Sequence, residues 1–347
     1  MAVAAELRAS GAEVSFLGTR ERVEAELVPE AGYEIDFVKV RGIDRRNPLR
    51  AARAGVEALG AVAAARRALR ERGADVVMGG GGYVAGPAGL AATLGRTPLV
   101  LTEADSHLGL ANRLLAGRAR RVCLAFPIAG REGGRYLVTG RPVPAEVLSA
   151  DRETARRRFG VAPEARCLFV VGGSQGARSV NFAAVEAFAE RDGRDFQVLH
   201  LCGRRDHADL ERRLAAAPNR DGYTLVDYDP TGLAEFLAAA DLVLGRSGGS
   251  IFEFTAAGRP AILVPYPYAT AGHQTANAAW MERAGAATVL ADSALAGADG
   301  AERLRTEVTA ILGDGARLTA MAAASRALAM PDAARRIADE VLAAARG

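Results

Sequence analysis

The chain has 347 residues, of which 50% are apolar and 24% charged, and its formal net charge is +3. This near balance gives no whole-chain field that attracts nucleic acid, so we expect no nucleic-acid partner. The apolar runs are shorter than the ~18 residues that span a bilayer, and Cys123, Cys167 and Cys202 are too scattered for a disulfide framework. We therefore expect a cytosolic protein of about two domains.

Strand-like apolar runs alternate with alanine-rich helical segments along the chain. The predicted strands are residues 13–17, 75–78, 98–101, 122–125, 167–171, 197–201, 241–244 and 261–265. The clearest predicted helices are residues 1–9, 47–72, 151–159, 181–190 and 233–240. Strands separated by helices imply parallel sheets with right-handed crossovers, so the predicted class is α/β.

Two prolines in the segment 140–148 mark a break before the strand series that opens at Cys167. We predict two doubly wound, Rossmann-like domains, residues 1–145 and 146–330, with ligands in a cleft beyond the carboxyl ends of the strands. A last helix over residues 331–347 is expected to pack back toward the first domain. The opening helix has no strand before it, so we expect that the first strand and its glycine-rich loop are missing and that the natural start lies upstream.

Residues 41–72 carry nine arginines against three acidic residues. A solvated helix face explains such a run as well as contact with an anionic surface does. Apolar neighbours such as Leu49, Val56 and Leu59 would suit the second interpretation.

Three glycine-rich loops each follow a predicted strand and precede a helix: residues 79–87, 172–177 and 246–250. Glycine lets the backbone approach a ligand closely, and the N-terminus of the next helix offers free N–H groups to a phosphate. None of the loops matches the dinucleotide or P-loop fingerprint, and each alone is more often a tight turn. Three loops at the same topological position indicate a phosphate-bearing ligand.

Polar residues begin two of the later helices. Glu253 lies in a first helical turn, where it either stabilises the helix N-terminus or accepts both hydroxyls of a ribose. His273, Gln274 and Asn277 either cap their helix or present donors and acceptors to sugar hydroxyls.

Two short patterns imitate metal motifs. They are Asp227-Tyr-Asp229 and the alternating Glu103, Asp105 and His107. Such short motifs match by chance so often that we expect neither a metal nor another cofactor.

Together the motifs resemble those of glycosyltransferase family 28, and within it the MurG-type N-acetylglucosaminyltransferases. The similar segments run through nearly the whole chain: residues 80–87, 125–127, 172–177, 246–248, 253–258 and 273–277. The resemblance implies a GT-B fold and an inverting, metal-independent transfer. It also implies a UDP-GlcNAc donor and, as acceptor, lipid I (undecaprenyl-pyrophosphoryl-MurNAc-pentapeptide) at the cytoplasmic face of the cell membrane.

By position, the resemblance places Ser174 near the donor diphosphate, Glu253 on the uridine ribose and Gln274 on the GlcNAc hydroxyls. The backbone around Asp229 would lie near the uracil. The other residues assigned to substrate binding are Gly173, Gln175, Arg246, Gly249, Ser250, His273, Asn277, Asp105 and Arg141. The acceptor-side loop would contain Gly81, Gly82 and Tyr83.

The chain departs from the family pattern at several points, one of which is a third glycine loop, residues 246–250, that is one residue shorter than in the family. The loop Gly-Gly-Thr-Gly-Gly-His, with the family's general-base histidine, is absent. The family's His-Glu-Gln-Asn reads Thr-Glu-Ala-Asp at residues 102–105. Its Gly-Asn-Pro-Val-Arg reads Gly-Arg-Pro-Val-Pro at residues 140–144, and Arg141 lies near the position of the missing arginine. The base is therefore unassigned, with Glu103, Asp105 and His107 as candidates. Two alternatives stay open: a GT-B transferase with another acceptor, and a truncated binding-only paralogue without turnover.

Overall fold

The computed structural model describes residues 1–40, 48–173, 176–191, 193–269, 272–297 and 299–347, with the side chains of 48–56 and 58 excepted. The chain forms two compact units: unit 1 comprises Met1–Pro142 with Asp332–Gly347, and unit 2 comprises Val143–Pro331. Every strand pairing among the described residues is parallel. The predicted α/β class with parallel sheets is confirmed.

Helices and strands alternate through unit 1. Its elements from the first part of the chain are α1 (Ala2–Ala9), β1 (Ser15–Gly18), α2 (Glu24–Glu30), β2 (Glu34–Phe37), α3 (Pro48–Glu71), β3 (Val77–Gly79), α4 (Gly82–Gly95), β4 (Leu99–Glu103), α5 (Leu110–Leu115), β5 (Arg121–Leu124) and β6 (Tyr136–Val138). Strands β1 and β2 form a two-stranded sheet, and β3-β4-β5-β6 form a four-stranded one. Within the described part of the chain no strand joins β1 to β3, so each keeps one edge without a strand partner.

Unit 2 is built on a single sheet. Its elements are α6 (Ala145–Ser149), α7 (Arg152–Phe159), β7 (Cys167–Val171), α8 (Arg178–Phe188), β8 (Gln197–Leu201), α9 (Arg204–Ala216), β9 (Tyr223–Val226), α10 (Ala234–Ala239), β10 (Leu242–Gly245), α11 (Ile251–Ala256), β11 (Ala261–Leu263), α12 (His273–Arg283), β12 (Ala287–Val289), α13 (Gly300–Leu312) and α14 (Gly315–Ala327). The six strands run in the order β12-β11-β10-β7-β8-β9.

The central strand β7 is buried at every position because helices cover both faces of the sheet. Successive side chains of a strand point to opposite faces. Leu168 and Val170 join the core cluster that contains α8 and α13, whereas Phe169 stacks on Phe236 of α10 with the ring centroids 5.1 Å apart. The continuous apolar sequence of β7 follows from this double coverage.

The last helix, α15 (Ala333–Arg346), belongs to unit 1. Its Ile337 and Val341 form a buried cluster with Val3 and Leu7 of α1 and with Val100 of β4. This helix therefore completes an apolar layer over the four-stranded sheet.

A buried ion-pair cluster holds the start of β10. Asp241, whose side chain is 11% exposed, accepts hydrogen bonds from Arg152 (2.7 Å) and Arg156 (3.0 Å) of α7 and from the N–H of Cys167 (2.9 Å). Arg156 is itself buried and also donates to the carbonyl of Ala239 at the end of α10 (3.1 Å). Asp241 is thus the counter-charge on which the packing of α7 against the sheet depends.

Candidate functional site

The loop between β7 and α8 depends on glycine. Gly173 and Gly176 have φ angles of 83° and 72°, and a Cβ on Gly176 would lie 2.8 Å from the carbonyl oxygen of Cys202. The backbone at Gly176 therefore lies directly against the Cys202 carbonyl, and the N-terminus of α8 follows it, as an anion site requires. The predicted residues Ser174 and Gln175 lie outside the described residues.

Arg246 opens the loop between β10 and α11, and its guanidinium is engaged inside unit 2. It donates to Oδ1 of Asp292 (2.6 Å), to Oγ of Ser179 (2.9 Å) and to the carbonyl of Val264 (3.0 Å). The side chain is only 12% exposed. The resemblance assigns the Arg246 guanidinium to the substrate, but these contacts already occupy it. We therefore infer that Arg246 stabilises the loop from inside unit 2.

Two residues of α12 contact the same loop in different ways. Asn277, which is 2% exposed, donates to the carbonyl of Ser247 (3.0 Å), and Ser247 Oγ donates to the carbonyl of Gln274 (2.7 Å). Oε1 of Gln274 accepts from the N–H of Tyr266 (2.9 Å), and its Nε2 lies 3.9 Å from the position of a Cβ on Gly248. Asn277 therefore holds the loop, while Gln274 presents an oriented amide donor beside it.

The remaining predicted donor residues lie where α11 and α12 begin. Gly249, Ser250 and Glu253 surround the start of α11, His273 is the first residue of α12, and all four are partly exposed. Strands β7, β10 and β11 are neighbours and parallel, so the loops at their carboxyl ends meet at one edge of the sheet. The structure thus brings both glycine loops of unit 2 together with Glu253 and Gln274.

Asp229 follows β9, at the edge of the same sheet. Its carboxylate accepts from Arg158 (2.5 Å) and from the N–H and the hydroxyl of Thr231 (2.9 and 2.5 Å). Burial acts to raise the pKa of Asp229, but the hydrogen bonds from Thr231 and the charge of Arg158 outweigh it and lower that pKa. The side chain is therefore bonded within its own turn and to Arg158 of α7. Among the described residues no group of His, Cys, Asp or Glu side chains suits a metal ion.

In unit 1, the first glycine loop leads into α4. Gly81 and Gly82 have φ angles of 81° and 76°, which L side chains rarely adopt. Tyr83 is 55% exposed, and the guanidinium of Arg22 lies 5.4 Å from its ring centroid. The loop therefore presents bare backbone and one aromatic ring at the carboxyl end of β3.

The three candidate bases have different surroundings. Glu103 is 7% exposed and accepts from the N–H groups of Asp105 (3.2 Å) and Gly109 (2.8 Å) and from Nδ2 of Asn112 (2.9 Å). Both of its oxygens are thus engaged in holding the loop that follows β4. Asp105 and His107 are both partly exposed, and within the described residues neither side chain has a hydrogen-bond partner.

A cavity of about 180 Å³ opens beside these residues in unit 1. Thr102, Glu103, Cys123 and Arg141 contribute to its lining. Arg141 is partly exposed and has no ion-pair partner in the described part of the chain. It is therefore available to an anionic group in the cavity.

Two buried amides near the glycine loops are absent from the predicted site. Asn112 of α5 is 1% exposed and donates to the carbonyl of Thr102 (2.9 Å), with Nδ2 3.9 Å from the position of a Cβ on Gly81. Asn181 of α8 is 0% exposed and donates to the carbonyl of Cys202 (2.8 Å). The signal that would have found both is a lone asparagine among the apolar residues of a helix.

Two parallel α/β units with glycine loops at the ends of their strands are the architecture of the GT-B fold, which many glycosyltransferases have. Family models make the assignment specific: the N-terminal domain of glycosyltransferase family 28 matches residues 1–124, and its C-terminal domain matches residues 167–337. The chain belongs to glycosyltransferase family 28.

Known proteins from several bacteria are similar over nearly the whole chain. A relative from Moorella thermoacetica is 40% identical over 96% of this chain and 91% of its own length, and one from Rubrobacter xylanophilus is 38% identical over 99% of each. Both are named UDP-N-acetylglucosamine–N-acetylmuramyl-(pentapeptide) pyrophosphoryl-undecaprenol N-acetylglucosamine transferase.

Solved structures agree with the class. The crystal structure of Acinetobacter baumannii MurG is 30% identical, with a TM-score of 0.79 over 99% of this chain and 94% of that one. The calicheamicin glycosyltransferase CalG4, at 19% identity and a TM-score of 0.68, shares the fold. The predicted family and GT-B fold are confirmed.

Proposed function

We propose that the chain transfers N-acetylglucosamine from UDP-GlcNAc to the C4 hydroxyl of MurNAc in lipid I, which yields lipid II for peptidoglycan synthesis. The observation that carries the proposal is the edge of the unit 2 sheet, where two glycine loops and Glu253 meet. The names of relatives matched over nearly the whole chain supply the sugar and the acceptor. Unit 2 would bind the donor and unit 1 the acceptor.

The proposed reaction is an inverting, metal-independent displacement at the anomeric carbon. The acceptor oxygen bonds to that carbon as the bond to the β-phosphate oxygen of UDP breaks. The N-terminus of α8, which follows Gly176 and Ala177, suits the charge that develops on the leaving UDP. The oriented Nε2 of Gln274 suits a hydroxyl of the sugar.

The acceptor hydroxyl also needs a base, whose help is typically worth ~10²–10⁴-fold. We favour Asp105 for this role. It is partly exposed and has no hydrogen-bond partner among the described residues, whereas both oxygens of Glu103 are engaged. Arg141, beside the cavity of unit 1, suits the pyrophosphate of the acceptor.

The test is a transfer assay with the purified chain, UDP-GlcNAc and lipid I. We expect UDP and a β-linked disaccharide lipid, identified by chromatography and mass spectrometry. Transfer to a different sugar acceptor but not to lipid I would instead favour a GT-B transferase of other specificity. Donor binding with no product from any acceptor would favour the binding-only alternative.

We also propose that unit 1 contacts the anionic inner surface of the cell membrane as a peripheral protein. Leu90 and Leu94 on α4, and Leu110 and Leu114 on α5, are 39–65% exposed and lie one helical turn apart on each helix. Exposed arginines lie on α3, which packs against α4, and in and after α5: Arg66, Arg67 and Arg70, and Arg113, Arg118 and Arg120. The notable arginines at 41, 45 and 46 lie outside the described residues.

Vesicle co-sedimentation tests the membrane proposal. Each basic residue near such a surface is worth ~1 kcal/mol and is screened by salt, so binding should rise with anionic lipid and fall with added salt. The double variant Leu94→Ser/Leu114→Ser should bind less, while Leu148→Ser, at a 49% exposed leucine of unit 2, should not. If binding is independent of salt, or if no binding is found, the arginine-rich segment 41–72 is better explained as a solvated helix face. Among the described residues no helix is long and apolar enough to cross a membrane.

A further inference from the structure

A chain of buried polar side chains runs beneath the loop between β7 and α8. His200 of β8, Asn181 of α8 and Asp206 of α9 are 0% exposed, and Tyr223 of β9 is 8% exposed. The Tyr223 hydroxyl lies 2.8 Å from Nδ1 of His200, whose Nε2 lies 3.1 Å from Oδ1 of Asn181. Nδ2 of Asn181 donates to the carbonyl of Cys202 (2.8 Å) and to Oδ2 of Asp206 (2.9 Å). The network links two strands of the sheet, β8 and β9, to two helices, α8 and α9.

The hydrogen bonds of this network have a defined direction. Asn181 donates both protons of Nδ2, so its Oδ1 can only accept from His200. His200 therefore carries its proton on Nε2, and its Nδ1 accepts from the Tyr223 hydroxyl. Burial lowers the pKa of His200 to about 3, so the ring stays neutral at physiological pH and keeps this tautomer.

The network ends against the glycine loop. The Cys202 carbonyl, which Asn181 holds, lies 2.8 Å from the position of a Cβ on Gly176, and Oδ2 of Asp206 lies 3.7 Å from that position. Arg178, the first residue of α8, donates to Oδ1 of Asp206 (3.2 Å) and so balances a buried negative charge close to the loop. The backbone path at Gly176 is therefore set by groups that Asn181 keeps in place.

We propose that Asn181 is a positioning residue for the transfer reaction, which fixes the backbone at Gly176, directly before α8, where the donor diphosphate would bind. This inference rests on the proposed function, since it concerns the same donor site. Asn181 acts through the Cys202 carbonyl and Asp206, and His200 and Tyr223 orient its amide. The position needs a group that accepts once and donates twice, which neither leucine nor aspartate of similar size provides.

The experiment compares the affinities of the purified chain for UDP and for uridine, measured by isothermal titration. Uridine lacks the phosphates, so a misplaced loop weakens UDP binding selectively, whereas general damage to unit 2 weakens both. For Asn181→Leu we expect the Kd of UDP to rise roughly tenfold, the order of one hydrogen bond, and the Kd of uridine to change less than about twofold. The KM for UDP-GlcNAc should rise by a similar factor.

Tyr223→Phe and Ser325→Ala complete the set. Tyr223→Phe removes only the hydroxyl that orients His200, so we expect a smaller change in the same direction, about threefold for UDP. Ser325 is also fully buried in unit 2, and its hydroxyl donates to the carbonyl of Arg259 (2.8 Å), away from the loop. Ser325→Ala should leave the preference for UDP over uridine unchanged.

The outcomes separate this inference from the proposed function. If the unmodified chain does not prefer UDP to uridine, the proposed donor site is wrong. If it does, and a folded Asn181→Leu variant keeps the full preference, the positioning role is overturned. If Asn181→Leu fails to fold, Tyr223→Phe decides: a reduced preference supports the role, and an unchanged preference overturns it.

Discussion

Glu253→Ala is expected to weaken UDP binding about a hundredfold, or roughly 2.8 kcal/mol, because two hydrogen bonds between a carboxylate and the ribose hydroxyls are lost. Glu253 is partly exposed in the first turn of α11, beside the second glycine loop of unit 2. Isothermal titration with UDP and with 2′-deoxy-UDP gives the sharpest reading. The unmodified chain should prefer UDP, and the variant should bind both alike, since the diol contact is gone.

Two controls isolate the ribose contact. Glu153→Ala removes an 80% exposed carboxylate of unit 2 that pairs with Arg157 and lies outside the glycine loops, so it should leave both affinities unchanged. A thermal melt is needed as well, because a carboxylate in a first turn also favours the helix by ~0.3–1 kcal/mol. If the Glu253→Ala variant still prefers UDP to 2′-deoxy-UDP, Glu253 does not contact the ribose and only stabilises the helix.

Asp241→Ala is expected to lower the free energy of unfolding of unit 2 by about 3–5 kcal/mol, the usual cost of leaving a buried partner charge uncompensated. Arg156, with 6% of its side chain exposed, would keep its charge and lose the carboxylate 3.0 Å away. The N–H of Cys167 would lose its acceptor too. Urea denaturation followed by circular dichroism measures the change.

A surface ion pair of the same unit provides the matched control. Glu302, 58% exposed, pairs with Arg191 at 3.0 Å, and exposed pairs contribute ~0–1 kcal/mol, so Glu302→Ala should be close to neutral. The double variant Arg156→Met/Asp241→Leu should recover much of the loss, because it removes both charges and fills the space. A loss for Asp241→Ala no larger than that for Glu302→Ala would show that the cluster is not a structural anchor.

Most strands that could be predicted from the sequence lie in the interior of a sheet, with β1 and β3 as the exceptions, whereas every missed strand lies at an edge. The apolar runs 167–171 and 197–201 coincide with β7 and β8, in the interior of the unit 2 sheet. The missed strands β2, β6, β9 and β12 each lie at an edge. Strands β2 and β6 have no buried residue. In β2, Glu-Ile-Asp-Phe, charged residues interrupt the apolar run by which interior strands of parallel sheets are recognised, and in β6 that run is only three residues long.

The candidate site divides in a similar way. Glycine loops and Glu253 could be predicted because a glycine run after a strand is a local signal. The partner of Arg246 could not, since Asp292 lies 46 residues further along the chain and meets it only in the fold. Asn277 likewise turns inward because the Ser247 carbonyl lies there to accept its amide. Residue types along the sequence thus indicated which segments lie at the candidate site. The contacts of each side chain depend on residues distant in sequence and could not be predicted.

The discontinuity of unit 1 has a consequence for synthesis. Unit 2 occupies one stretch of chain, Val143–Pro331, whereas α15 of unit 1 is translated after it. Until then, Val3, Leu7 and Val100 lack the cover that Ile337 and Val341 supply. Domains generally fold as units while the ribosome elongates the chain. Here the translation of unit 1 starts before that of unit 2 and ends after it. The nascent polypeptide therefore exposes an apolar patch, to which chaperones can bind, throughout the translation of unit 2.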